Sequence, residues 1–306
     1  HAALPDGTEV AVKVQYPGVA QAIENDLANA ETLVSAMSAV MPKADFSHFV
    51  EDIISRIAEE CDYEAELQNQ TDFARVWAGK DGIVIPRVYP EFCTKRVLVS
   101  EFIHALEWRE MLQIASPRQK SEFGQTIFRF VFESLFCHHM FNGDPHPGNY
   151  MFYPDGRIAF IDYGCVQRYP AEQAQAFQDL RLSVLNRERG RPFRTLINKT
   201  FGIPDDVDEE MQQLLEDYMH LSFQPVTAPQ PYRFERSYCT QLMNVGMEAK
   251  MMMTRKMLFG KKVNIFDNQN HGVAFLGRIN FGLGSILANL GTEGDFHAMV
   301  AAMETS

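Results

Sequence analysis

No initiator methionine opens this chain of 306 residues; His1 runs directly into an alternating apolar segment, which reads as a domain entered part-way through, the piece of a longer protein. Nowhere does the chain approach the ~18 uninterrupted apolar residues that a membrane-spanning helix needs. Its start lacks the charged residues and apolar core of a secretory leader. The five cysteines, Cys61, Cys93, Cys137, Cys165 and Cys239, form no C-x-x-C pair. That argues against a zinc site or disulfide framework and for reduced thiols in a cytosol-like compartment. Basic blocks are missing too. Lys and Arg number 28 against 40 Asp and Glu, a formal net charge of −12 that repels phosphate backbones and leaves no place for nucleic acid as a general partner. Internal repeats and low-complexity linkers are also absent.

What is present is ordinary globular composition, 46% hydrophobic and 22% charged, long enough for one large or two modest domains. Pro5-Asp6-Gly7 followed by TEVAVKVQYP predicts a turn and a strand, with Val10, Val12 and Val14 on one face and Ala11 and Lys13 on the other. Helical spacing of Ile23, Leu27, Ala30, Val34 and Met37 predicts a helix over 19–41. A second begins near Phe46 and extends to about Trp77, its later part the acidic run EECDYEAE (59–66). Strands are expected in 83–103 and a long helix over 117–140, with Phe123, Ile127, Phe130, Val131 and Leu135 inward. Two short strands flank a Pro154-Asp155-Gly156 turn within 150–161, and helices follow beyond 170. The Met-rich stretch 242–259 reads as core filling in preference to an amphipathic, lipid-facing surface. The expected fold is α+β and bilobal, a small strand-plus-helix lobe over 1–103 and a mainly helical lobe over 104–306.

The chemistry concentrates in two places. In DPHPGN, Asp144 and Asn149 lie five residues apart in a loop stiffened by two prolines, and thirteen residues on, Asp162 follows the apolar strand IAFI and precedes Tyr163-Gly164. Three oxygen-bearing side chains at the ends of one hairpin suit a hard cation, which Mg²⁺ typically shares with phosphates. Asn149 and Asp162 are the natural ligand pair, which leaves Asp144 to orient a nucleophile. Asp144 also precedes proline, so its backbone is biased away from helix. His138, His139 and His146 do not make a joint metal site, because adjacent helical residues point apart; His146 reads as a loop-shaping residue.

An Asp, an Asn five residues later and a D-[FY]-G after a hairpin match the catalytic and metal loops of protein kinases, and VAVK, ending at Lys13, matches the kinase strand lysine. The H-R-D of ordinary kinases is missing. NGDPHPGN together with VAVKVQYPGV and ECDYEAE instead resembles the UbiB-type (AarF) family of atypical protein-kinase-like proteins, whose better-known members serve ubiquinone synthesis. The resemblance implies ATP and Mg²⁺ as cofactors, Lys13 on the α- and β-phosphates, Asp144 as the catalytic carboxylate, and Asn149 and Asp162 on the metal. It maps the family's E-x-D motif, which docks a lysine of an N-terminal extension, onto Glu60 and Asp62. Glu66, one turn further on, is the favoured partner of Lys13, with Glu60 second. Glu101 and Ile103 occupy the hinge that would meet adenine. The family's upstream K-x-G-Q segment and alanine-rich nucleotide loop do not occur in this chain, and no A-P-E motif follows Asp162. The activity implied is an ATPase or atypical kinase working on a lipid or quinone precursor, in the cytoplasm at the periphery of a membrane. The alternatives are a small-molecule or lipid kinase and a nucleotide-binding scaffold without turnover.

Overall fold

In the computed structural model, residues 1–18, 62–201, 203, 207–259 and 278–303 are described. Strands β1 (Ala2–Ala3) and β2 (Glu9–Val14) run antiparallel around the Pro5-Asp6-Gly7 turn, and β2 pairs on its other side with β4 (Val97–Glu101), setting Lys13 opposite Leu98. The strand forms where expected, but of the three valines only Val10 is core, at 1% exposure; Val12 and Val14 lie exposed. The expected helix 19–41, the start of the second helix and Glu60 lie outside the described residues. The described part of that second helix is α1 (Tyr63–Val76), which ends at Trp77 as expected.

Between α1 and β4 lie β3 (Ile83–Val84) and a short 3₁₀ turn at Pro90–Phe92. After β4 and the short helix α2 (Trp108–Ile114) comes α3 (Pro117–His138). Its start is set by a reciprocal Ser116–Gln119 capping box with Pro117 in the first turn, which satisfies otherwise unpartnered amides. All five expected inward residues of α3 are buried. The helix stops at His139, whose φ of 53° turns the chain into β5 (Met140–Asn142). The DPHPGN loop leads to the hairpin of β6 (Tyr150–Phe152) and β7 (Ile158–Phe160). Gly156, at φ +97°, allows the turn between these strands.

By packing, the chain divides into two units, residues 1–114 with 147–166 and residues 115–146 with 167–306. This differs from a linear division at residue 103, because 104–114 and the β6–β7 hairpin pack with the first unit. The reason is hydrogen bonding: β7 pairs in parallel with β3, and Leu106 and Phe152 exchange both backbone bonds at 2.9 and 2.8 Å. The second unit is helical after β8 (Val166–Arg168): α4 (Ala171–Leu185), α5 (Arg191–Phe201), α6 (Glu209–Ser222), α7 (Gln224–Thr227), then β9 (Tyr232–Arg233) and α8 (Arg236–Phe259). A wide π-helical turn at Arg278–Leu283 leads into α9 (Gly284–Leu290), β10 (Glu293–Gly294) and α10 (Phe296–Ala301). The chain is thus α+β, as expected. The expectation of core filling fails for one face of α8, where Met243, Met247 and Met251 recur every fourth residue and are 48%, 58% and 66% exposed. Among the described residues no helix is long and apolar enough to cross a membrane.

Candidate functional site

In the first unit the acidic start of α1 splits into separate roles. Asp62 is the N-cap: its carboxylate accepts the Ala65 N–H at 3.0 Å, satisfying an amide that the helix leaves unpartnered. Glu64 is exposed. Glu66, one turn along, points inward and is only 2% exposed. A carboxylate at that depth needs a counter-charge, and Lys13 supplies it. The Lys13 ammonium donates to both Glu66 oxygens, at 2.9 and 2.8 Å, and passes over the Tyr63 ring at 5.2 Å from its centroid. The Lys13 side chain keeps 43% of its surface exposed, so the pair meets solvent on its lysine side.

A third charge joins them. Asp162 Oδ2 lies 3.6 Å from the Lys13 ammonium, and its Oδ1 accepts the Gly164 N–H at 3.0 Å. Lys13 is on β2 and Asp162 follows β7 by two residues, so the two come from separate sheets. Tyr163 holds the loop in place. Its ring is fully buried 5.0 Å from Phe73 of α1, its hydroxyl donates to the Phe160 carbonyl, and its own carbonyl accepts the Asn69 side-chain amide at 3.1 Å. Asn69 is one turn beyond Glu66, a periodic signal on the same helix face that the sequence reading passed over.

The electrostatics follow from one ammonium serving two carboxylates. Burial pulls the Lys13 pKa down, but Asp162 and Glu66 together outweigh it and hold the ammonium above its ordinary value. Burial pushes the Glu66 carboxyl up; Lys13 pulls it back, and the nearby charge of Asp162 adds to the rise. With all three groups ionised the cluster carries a surplus negative charge.

Asn149 ends a 3₁₀ turn (Pro147–Asn149), and its carbonyl accepts the Ile161 N–H at 3.1 Å, so the hairpin brings its backbone beside the residue preceding Asp162. Glu101 ends β4 and donates its amide to the Arg87 carbonyl at 2.7 Å; Ile103 is buried. Asp144 belongs to the second unit. It is exposed, and its carbonyl accepts the His146 N–H at 2.8 Å in a tight turn. The following Pro145 is packed against Gly282: a Cβ placed on that glycine would sit 2.3 Å from Pro145 Cγ. Nothing local in the sequence marks Gly282 as a support of the loop that carries Asp144.

A family model described as the ABC1 atypical kinase-like domain matches residues 1–193. The chain is 28% identical over 206 residues to Protein ACTIVITY OF BC1 COMPLEX KINASE 3, chloroplastic, of Arabidopsis thaliana, which covers 65% of this chain and 28% of that protein. It is 29% identical over 172 residues to Atypical kinase COQ8B, mitochondrial, of Danio rerio, which covers 56% of this chain and 27% of that protein. The chain thus spans little more than a quarter of the length of these relatives. Among solved structures, that of the Rv3197–erythromycin complex from Mycobacterium tuberculosis matches with a TM-score of 0.69 at 23% identity, covering 98% of this chain and 72% of that one, and so has the same fold.

Proposed function

This chain belongs to the ABC1 atypical kinase-like family, and on that premise we propose that it binds ATP with Mg²⁺ and acts on the γ-phosphate. The observation that carries this reading is the Lys13 ammonium held by both oxygens of buried Glu66, with Asp162 3.6 Å away. A partly exposed ammonium held in place by a buried carboxylate is suited to pair with nucleotide phosphates. The surplus carboxylate charge and the oxygen donors of Asp162 and Asn149 suit a hard divalent cation. Bound there, Mg²⁺ would neutralise charge on the phosphates. Asp144, by its place in the DPHPGN motif, orients a water or a substrate hydroxyl. The Glu101 carbonyl and the Ile103 backbone meet adenine. Asp62, as helix cap, serves the placement of Glu66.

No A-P-E motif follows Asp162, so a platform for peptide substrates is not evident. This favours an ATPase, or a kinase of a small molecule or lipid, over protein phosphorylation. Work on a lipid or quinone precursor at a membrane surface rests on the family resemblance. The relatives named as chloroplastic and mitochondrial make an organelle as fitting as a cytoplasm. Nucleotide affinity and steady-state phosphate release, measured on the whole chain, test the reading. Lys13→Met is expected to weaken ATP binding at least about tenfold. Asp144→Asn is expected to keep ATP affinity while lowering turnover by roughly 10²–10⁴. Normal turnover in folded Asp144→Asn would remove the catalytic assignment, and ATP binding without phosphate release would leave a scaffold.

A further inference from the structure

One peptide group stands between α1 and the carboxylate of Asp162. The Gly164 N–H donates to Asp162 Oδ1 at 3.0 Å, and the carbonyl of that same peptide group, that of Tyr163, accepts the Asn69 side-chain amide at 3.1 Å. A trans peptide is planar, with its N–H and C=O on opposite sides, so a donor that fixes the carbonyl also fixes the direction of the N–H. Asn69 thus acts on Asp162 through one rigid plane. With Oδ1 on the Gly164 N–H, Oδ2 is the oxygen 3.6 Å from the Lys13 ammonium.

The same helix face holds the residue before this peptide. The Tyr163 N–H bonds to the Glu66 carboxylate, and the Tyr163 ring packs 5.0 Å from Phe73. Glu66, Asn69 and Phe73 follow at helical spacing and form one stripe of α1. The Glu66 bond and the ring contact do not set the orientation of the Tyr163–Gly164 peptide. Rotation about the bonds on either side of it would turn it over and leave both in place. Gly164 lies at negative φ. Turning the peptide over would carry it out of that range, into backbone space that glycine enters at little cost and other residues avoid. The turned peptide would aim its N–H away from Asp162 and its carbonyl toward it, oxygen against oxygen. It would also take from Asn69 the acceptor it now holds in a fully buried residue.

We propose that Asn69 is a positioning residue for the cation site: by holding the Tyr163–Gly164 peptide in one orientation, it keeps Asp162 Oδ1 on the Gly164 N–H and leaves Oδ2 to the cation. The inference rests on the reading of Asp162 as a ligand of Mg²⁺ bound with ATP. Outer groups that orient a metal ligand typically contribute about 10–100-fold in metal affinity.

The test compares, on the whole chain, the affinity for ATP in excess chelator with that for ATP and Mg²⁺. Asn69→Ala is expected to leave the first unchanged, because Lys13 keeps its bonds to Glu66, and to lose about tenfold or more of the preference for the metal complex. Without any ligand, amide exchange at Gly164 is expected to be faster in Asn69→Ala than in the wild-type chain. Adding Gly164→Ala to Asn69→Ala is expected to regain part of the metal preference, since alanine resists the turned peptide. The added methyl would stand 3.5 Å from Asp162 Oδ1 and 3.8 Å from Glu66 Oε2, ordinary contact distances. Asn69→Leu, close to asparagine in size but without a donor, supplies the comparison should Asn69→Ala fail to fold. A wild-type metal preference that persists in folded Asn69→Ala would overturn the role of Asn69 while leaving Asp162 as a ligand. No recovery on adding Gly164→Ala would overturn the peptide as the route. A wild-type chain without any metal preference would remove the reading of Asp162, and this role with it.

Discussion

Glu66 carries the most physical tension in the first unit. It is buried at 2% exposure and shares its lysine with a second carboxylate. Burial, with help from Asp162, raises its pKa above 4.5 against the pull of Lys13. A raised carboxyl pKa means that the folded chain binds the proton more tightly than the unfolded chain. The stability this gives is fully present below pH 4.5 and is lost as pH rises through the folded value. Glu66→Gln removes that titration and leaves an uncharged amide beside Lys13. The stability of the wild-type chain relative to Glu66→Gln, from urea midpoints between pH 4 and pH 8, is therefore expected to fall as pH rises. A rise over the same range would show that the attraction of Lys13 outweighs burial. The pairing of Lys13 with Glu66 was legible in part: the motif match singled out Lys13, and helical spacing favoured Glu66 with Glu60 second. The sharing of Lys13 with Asp162, some 150 residues away, was not, because it depends on how β7 is placed.

At the level of elements, the hairpin of β6 and β7 and the end of α3 followed local rules: a turn around Gly156, and a helix that stops before Asp144-Pro145. Which unit the hairpin joins did not follow from them. Its parallel pairing with β3 ties residues separated by more than 70 positions, and two-residue strands leave little pattern to read. The DPHPGN loop has a similar long-range dependence. Pro145 rests on Gly282, where a methyl group would meet Pro145 Cγ at 2.3 Å. Gly282→Ala must therefore shift the loop or the π-helical turn, an overpacking that typically costs about 1–3 kcal/mol. On the reading of Asp144 as the orienting carboxylate, the expected outcome is turnover lowered about tenfold or more with ATP affinity retained. Unchanged phosphate release in a Gly282→Ala chain that melts normally would show that this contact does not govern the loop. The exposed methionines of α8 show the limit of composition: methionine fills cores readily, yet Met243, Met247 and Met251 face outward.

For the whole molecule, anything that binds the folded chain alone raises its stability by mass action, by about 2.7 kcal/mol when free ligand exceeds its Kd a hundredfold. If Asn149 and Asp162 hold a cation jointly with phosphates, ATP with Mg²⁺ is expected to raise the melting temperature by several degrees. ATP with a chelator in excess is expected to do much less, and Asp162→Asn to show little difference between the two conditions. An equal shift with and without the metal would detach Asp162 and Asn149 from cation binding while leaving Lys13 to the phosphates.

The sequence by itself determined the α+β class, the motif order of lysine, acidic helix, Asp-Asn loop and D-Y-G, the long apolar stripe of α3 and a preference for Glu66 over Glu60 as the partner of Lys13. All of these rest on local spacing, which the chain carries whether or not it is folded. Only the tertiary structure decided the rest. It grouped 147–166 with the N-terminal unit, set Asp162 beside Lys13, made Asp62 a helix cap and pressed Gly282 onto Pro145. These are contacts between residues far apart in sequence, where burial and close packing select the partner from many that local pattern allows equally well.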